Sequence, residues 1–95
     1  MNNKAKSIGT VLQSVLKDID VYDNFIRLWI LQNWDEVFDK NITRICRPVK
    51  FEGDVLVIEA ISESWANELQ QFKKKMIYRL NSKFNQLNVK DIKIV

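Results

Sequence analysis

Apolar side chains recur every three or four positions in the first part of the chain. Between residues 8 and 19 they never miss this spacing, and the positions are Ile8, Val11, Leu12, Val15, Leu16 and Ile19. This periodicity predicts an amphipathic helix. The stretch DIDVYDN, residues 18–24, is expected to end it, because Asp and Asn favour turns and helix N-caps.

A second helix is predicted from about Asn24 to Phe38. Its large residues form a broad surface that comprises Phe25, Leu28, Trp29, Leu31, Gln32, Trp34 and Phe38. Because no single helical stripe includes all of them, we expect a kink or break near Asn33.

The pattern then changes to short apolar runs typical of β-strands. RICRPVKF and VLVIEAI flank the sequence Glu-Gly-Asp at 52–54, which predicts a hairpin. Pro48 cannot donate a backbone hydrogen bond, so the first strand is expected to lie at a sheet edge or to bulge there. Alternation in the second strand places Leu56, Ile58 and Ala60 on one face and Val55, Val57 and Ile61 on the other.

The stretch SESWANELQQFKKKMIYRL, residues 62–80, predicts the third and longest helix, with Ser62 or Ser64 at its N-terminus. One apolar stripe is expected from Trp65, Leu69, Phe72, Met76, Leu80 and Phe84, and the first five of these are expected to be largely buried against the sheet. At about 100° per residue, Lys75, Tyr78 and Arg79 fall on the opposite face. The alternative role for Trp65 is a platform for base stacking.

The segment LNVKDIKIV predicts a third strand, with Ile92 and Ile94 on one face. The order ααββαβ indicates a single α+β domain over residues 1–95, with a three-stranded mixed sheet packed by helices on one face. The second and third strands are joined by the long helix, so we expect them to run parallel.

The composition argues against most catalytic and metal chemistry. The 95 residues contain no histidine, one cysteine (Cys46) and two distant glycines. Histidine-dependent nucleophiles, multi-Cys or His zinc sites, P-loops and the GxxG loop of KH domains are therefore missing. We predict that the protein is not an enzyme and needs no metal or cofactor. Without an apolar run near the ~20 residues of a membrane helix, or the apolar core of a signal peptide, we expect a cytoplasmic protein with no membrane partner.

The formal net charge of +3 is unevenly distributed. Residues 1–42 hold five basic and six acidic side chains, whereas residues 43–95 hold ten and six. The candidate nucleic-acid contacts are Lys73, Lys74, Lys75, Arg79 and Lys83 of the third helix and Arg44, Arg47 and Lys50 of the first strand. Such side chains contact phosphates, so binding is expected to be independent of base sequence. A solvated helix face is the alternative interpretation of the lysine run.

Motifs across residues 25–95 resemble the DciA family of bacterial proteins. The similar segments are NWDEVFDKNI, RPVKFEGDVLVIEAISESWANELQQFKKKMIYRLN and VKDIKIV. The positions that fit the family pattern are Trp34, Val37, Ile42, Pro48, Gly53, Leu56, Ile58, Ser64, Trp65, Ala66, Glu68, Leu69, Leu80 and Asn81. Asp39 departs from the family pattern, because the family favours glycine at this position. The difference is expected to affect the turn after the second helix.

The resemblance implies a KH-like αα-ββ-α-β domain that binds DNA, single- or double-stranded, and helps to load or operate the bacterial replicative helicase. Longer members carry a C-terminal extension implicated in helicase contact, whereas this sequence ends with the third strand. DNA binding is therefore the role expected of the folded domain, with the helicase as a second partner.

Two alternatives stay open. One is an RNA-binding KH-like module, against which the missing GxxG loop counts. The other is a protein-interaction module that forms a homodimer through an exposed sheet face bearing Val55, Val57 and Ile61. The sequence leaves the preference for DNA or RNA and the oligomeric state undecided.

Overall fold

The computed structural model describes residues 19–95 of the chain. The elements are α1 (Ile19–Gln32), a 3₁₀ turn (Trp34–Glu36), α2 (Lys40–Thr43), β1 (Cys46–Glu52), β2 (Val55–Ala60), α3 (Glu63–Gln70), α4 (Lys73–Lys83) and β3 (Asp91–Ile94). The predicted α+β class with a three-stranded mixed sheet is confirmed. The first predicted helix lies outside the described residues except for its last position, Ile19.

The sheet is built around β2, which pairs antiparallel with β1 and, as predicted, parallel with β3. A two-residue turn closes the hairpin with Gly53 at φ 59°, a conformation that glycine adopts without the steric cost of a Cβ. The register of β1 shifts between Pro48 and Lys50. The strand that carries the proline is thus both an edge strand and bulged, because proline has no N–H to donate.

The core lies on one face of this sheet. The register places Leu56 beside Phe51 and Ile92, and Ile58 beside Pro48 and Ile94. Side chains from every described helix except the short α2 complete the core with residues that are almost inaccessible to solvent, among them Ile30, Leu69, Met76 and Leu80. The described helices therefore pack on a single face, as predicted.

Helix α1 begins earlier than the sequence predicted. It already includes Ile19, so the described residues 19–24 do not form the expected break before a start near Asn24. Asp23 does not act as a cap, because its carboxylate accepts a hydrogen bond from Nε of Arg27, one turn further on, at 3.1 Å. An aspartate that pairs along a helix face no longer competes for the backbone.

The buried face of α1 also differs from the prediction. Ile26 and Ile30 point into the core, whereas Leu28 is 53% exposed. The expected break near Asn33 is confirmed, since α1 ends at Gln32 and a 3₁₀ turn follows. Phe25, Trp29 and Leu31 are partly buried against the core, so only Leu28 and Gln32 of the broad surface that the sequence predicted are exposed.

The long third helix predicted from the sequence is two helices. After α3 ends, the N–H groups of Gln71 and Phe72 donate to the carbonyls of Glu68 and Leu69, three residues back. This tighter step changes the direction in which the following side chains point. Of the two predicted N-caps, Ser62 acts, with its hydroxyl accepting from the N–H of Trp65 at 3.2 Å.

The predicted apolar stripe is consequently discontinuous. Leu69, Met76 and Leu80 are buried, but Trp65 is 42% and Phe72 is 37% exposed. The prediction that Trp65 and Phe72 would be largely buried is wrong, because one regular helix does not run through both of them.

Asn81 fixes the segment that leads into β3. Its side-chain amide donates to the carbonyl of Val89 at 2.9 Å, and its side-chain oxygen accepts from the N–H of Val89 at 2.8 Å. Val89 is only 2% exposed, so both backbone groups would otherwise be buried without a partner. This pairing gives a physical reason for an asparagine at the end of the family motif.

Replacing Asn81 with Ala should lower the free energy of unfolding by about 1–3 kcal/mol, because two backbone groups of Val89 are then left without a partner. Urea unfolding followed by circular dichroism measures this change. Asn88→Ala, at an exposed position in the same segment, is the matched control and should change stability by less than ~0.5 kcal/mol. Equal losses in the two variants would contradict the role assigned to Asn81.

Candidate nucleic-acid interface

A cleft of about 840 Å³ opens between two walls of the protein. One wall consists of α3 and α4, and the other is the segment that runs from Phe38 through α2 to Ile45. Three of the residues that line it are buried, namely Phe38, Ile45 and Met76. The cleft therefore has an apolar floor.

Exposed aromatic side chains line the same cleft. Trp65 comes from α3, Phe72 from the step between the helices, and Tyr78, which is 75% exposed, from α4. Lys75, Tyr78 and Arg79 are exposed on α4, as predicted, but they line the same cleft as Trp65 and Phe72, whereas the sequence predicted opposite faces. Flat, partly exposed rings beside an apolar floor can stack on a planar ligand.

Three cations also line the cleft. Lys75 and Arg79 lie one turn apart on α4, and Arg44 directly follows α2 on the other wall. An aspartate, Asp39, faces them, with its Oδ1 3.8 Å from Nη2 of Arg79. The lining thus carries a net positive charge, which suits an anionic ligand.

The other predicted contacts from the third helix lie outside this lining. Nζ of Lys73 lies 3.7 Å from Oδ1 of Asp91, which keeps this lysine close to the sheet. Nζ of Lys83 donates to the carbonyl of Glu36 at 2.5 Å. Lys74 is exposed and immediately precedes Lys75.

Arg47 and Lys50 lie on the sheet face opposite to the described helices, here called the open face, and each pairs with a carboxylate there. Nη2 of Arg47 lies 2.5 Å from Oε1 of Glu59, and Nζ of Lys50 lies 3.0 Å from Oε2 of Glu52. The hydrogen bond from Lys50 lowers the pKa of Glu52 below its usual value. The structure therefore brings together only Arg44, Lys75 and Arg79 of the eight predicted contacts, and the role of all eight in binding stays a prediction.

The open face of the sheet is not the exposed apolar patch expected for a homodimer. Val57 is only 4% exposed and lies between Lys50 and Lys93 in the register, and Val55 is half-buried. Ile61 is exposed, but it follows the end of β2. Charged residues of both edge strands flank the valines, so the described part of this face is not a continuous apolar surface, and a homodimer through it stays an untested alternative.

Buried contacts behind the cleft support its second wall. Nε1 of Trp34 donates to the carbonyl of Cys46 at 3.1 Å, and the ring meets Phe38 edge-on with centroids 5.0 Å apart. Sγ of Cys46 donates to the carbonyl of Ile42 at 3.2 Å. Trp34 is therefore structural, and it holds the start of β1 against the segment that lines the cleft.

No feature of a metal centre or of a membrane-spanning segment is present in the part of the chain that the structure describes. Between residues 19 and 95, His, Cys, Asp and Glu side chains do not gather in groups of three or more that could hold a metal ion. Across the same residues, every helix is too short or too polar to cross a membrane.

Fold and cleft together define a small α+β domain with an aromatic, cationic surface. The family described as Dna[CI] antecedent, DciA, matches residues 7–94. The chain therefore belongs to the DciA family, whose members are non-catalytic loaders of the bacterial replicative helicase. The match begins earlier than the resemblance noted over residues 25–95. No curated protein matches the chain.

The thiol of Cys46 should be unreactive in the folded protein. Burial raises its pKa from 9.0 to about 11, and the thiolate is the nucleophilic form. At about pH 8, iodoacetamide should modify the native protein far more slowly than the urea-unfolded protein. Because the folded state keeps the proton that the unfolded thiol loses, stability should also fall as the pH rises from 9.0 towards 11. Rapid, complete alkylation of the native chain would contradict this assignment.

Proposed function

We propose that this chain is a DNA-binding accessory of bacterial replication that acts in the cytoplasm and binds a single strand in the cleft between α2 and the α3–α4 pair. The observation that supports the proposal is the convergence of three cations and three exposed aromatic side chains on one apolar-floored cleft. Membership of the DciA family implies interaction with the replicative helicase as well.

The cations supply the affinity for the phosphate backbone. Lys75 and Arg79 lie about 6 Å apart along the axis of α4, so they can contact different phosphates of one strand. Arg44 approaches from the other wall. Contacts of this type release counterions and carry no base information, which makes binding sensitive to salt and tolerant of sequence.

The aromatic residues favour a single strand over a duplex. Trp65 and Tyr78 present exposed ring surface in the cleft, and each base that leaves the duplex stack can use such a surface. In a duplex the base faces are already occupied by their neighbours. Every base can stack in this way, so stacking, like the phosphate contacts, gives binding that is independent of base sequence.

A protein segment is the second candidate for this cleft. Trp65 and Phe72 are large apolar residues that are only partly covered, and such residues often dominate protein interfaces. In a segment of the helicase with apolar side chains and flanking acidic residues, the apolar side chains would contact the floor of the cleft and the acidic residues would pair with the cations. The two experiments below separate this possibility from a nucleic-acid ligand.

Changing Lys74, Lys75 and Arg79 together to Gln should weaken binding of a labelled oligodeoxythymidylate. The slope of log K against log[salt] should fall by about 0.7 for each phosphate that the variant no longer neutralises on a single strand, or about 0.9 on a duplex. Fluorescence anisotropy at several salt concentrations measures both quantities, with an oligoribonucleotide competitor to compare RNA with DNA.

The control for that variant changes Arg47, Lys50 and Lys93 to Gln, which removes the same charge from the open sheet face. It should bind nearly as tightly as the wild type. If the sheet-face variant loses as much affinity as the helix variant, the cleft is not the main contact. If the wild type does not bind even at low salt, the protein-segment alternative takes its place.

Trp65→Ala should cost about 1–3 kcal/mol of binding free energy if one base stacks on the indole, whereas Trp65→Phe should retain part of it. Addition of the strand should quench tryptophan fluorescence in the wild type. This quenching should be absent in Trp65→Phe, which keeps Trp29 and Trp34 as internal references. Unchanged affinity in both variants would argue against stacking, and thermal melting checks that both are folded.

A further inference from the structure

Asp39 is the one carboxylate among the described residues that line the cleft. Its side chain is 76% exposed and that of Arg79 is 53% exposed, with 3.8 Å between Oδ1 of Asp39 and Nη2 of Arg79. A phosphate that binds Arg79 at this position would meet the carboxylate at close range. The ion pair therefore lies where the proposed ligand has to bind.

The local fold does not require this carboxylate. Asp39 is the N-cap residue of α2, where an aspartate side chain often accepts from the first turn, but its side chain makes no cap hydrogen bond within the described residues. Its backbone carbonyl instead accepts from the N–H groups of Ile42 and Thr43 at 2.9 and 3.0 Å. The backbone angles, φ −65° and ψ 156°, are open to any residue, so the aspartate does not distort this turn.

We propose that Asp39 limits the affinity of the cleft for nucleic acid by pairing with Arg79, an inference that rests on the proposed function. A bound phosphate has to displace the carboxylate from the guanidinium and then remains repelled by it. Because a pair this exposed is weak, a strand that also reaches Lys75 and Arg44 can still displace it. A ligand with one isolated negative charge gains much less, so the pair favours extended polyanions.

The test compares the full chain as wild type, Asp39→Asn, Arg79→Gln and the double variant. Each is titrated against a labelled oligodeoxythymidylate at about 0.1 M salt, where screening acts over about 10 Å. Asp39→Asn should bind about two- to five-fold more tightly than the wild type, as expected for release of an exposed ion pair. In the Arg79→Gln background, the same change should raise affinity clearly less.

Glu52→Gln is the matched control for the loss of one negative charge. Glu52 ends β1, a strand of seven residues that begins next to the cleft, and so lies about 20 Å from the strand's first residue. The Glu52→Gln variant should leave the affinity for the oligodeoxythymidylate unchanged. Thermal melting should give the same midpoint for Asp39→Asn and the wild type. If Asn disturbs the fold, the Asp39→Ser variant takes the place of Asp39→Asn, because Ser is also a good N-cap residue.

Three results would overturn the inference. An equal gain from Asp39→Asn with and without Arg79 would mean that the aspartate acts only through general repulsion. A wild type that binds the strand but does not respond to Asp39→Asn would reject the inference and leave the proposed function intact. A wild type that does not bind the strand would reject the proposed function, and the inference would be rejected with it.

Discussion

The burial of two leucines against the sheet determines how the cleft forms. Leu69 holds α3 and Leu80 holds α4, and both are fully buried. The chain between them takes the tight step at Gln71 and Phe72 rather than a regular helical turn. Each helix is thus anchored by its own leucine, and the aromatic residues on either side of Leu69 remain at the surface instead of joining the core.

The opposite side of the domain is held by polar contacts of a different kind. Arg27 of α1 donates to the carbonyl of Gly53 at the hairpin turn, lies 3.5 Å from Oδ1 of Asp54, and covers the ring of Phe51 with its guanidinium 5.0 Å from the centroid. One side chain therefore ties α1 to the hairpin. The cleft lies at the far end of the β1–β2 ladder, so the scaffold contacts and the proposed binding surface use separate parts of the fold.

The cations of the open sheet face and those of the cleft also differ in how closely carboxylates pair with them. On the open sheet face, Arg47 and Lys50 have carboxylate partners within 3.0 Å, which offset part of their positive charge. In the cleft, the cations meet one aspartate at 3.8 Å. The weak net charge of the whole chain therefore hides a local positive surface, and the position of the carboxylates, more than the number of lysines, decides where that surface lies.

The sequence by itself determined the strands, the hairpin and the outer face of the last helix. Alternation puts Leu56 and Ile58 on the face of β2 that joins the core, Pro48 has no N–H to donate, and Gly53 tolerates the positive φ that the two-residue turn needs. A turn of helix places Tyr78 beside Lys75 and Arg79 whatever surrounds it. These features depend on neighbours in the chain, so periodicity and turn chemistry are sufficient to predict them.

Only the tertiary structure decided the break between α3 and α4, the early start of α1 and the partners of each cation. No proline or glycine marks the step at Gln71 and Phe72, and a regular stripe would have buried Trp65. Contacts between residues far apart in the chain decide that Arg44 lies across a cleft from Arg79 and that Arg47 pairs with Glu59 on the sheet. Helical periodicity describes one helix at a time, whereas the competition for a shared core is settled by the packing of all elements together.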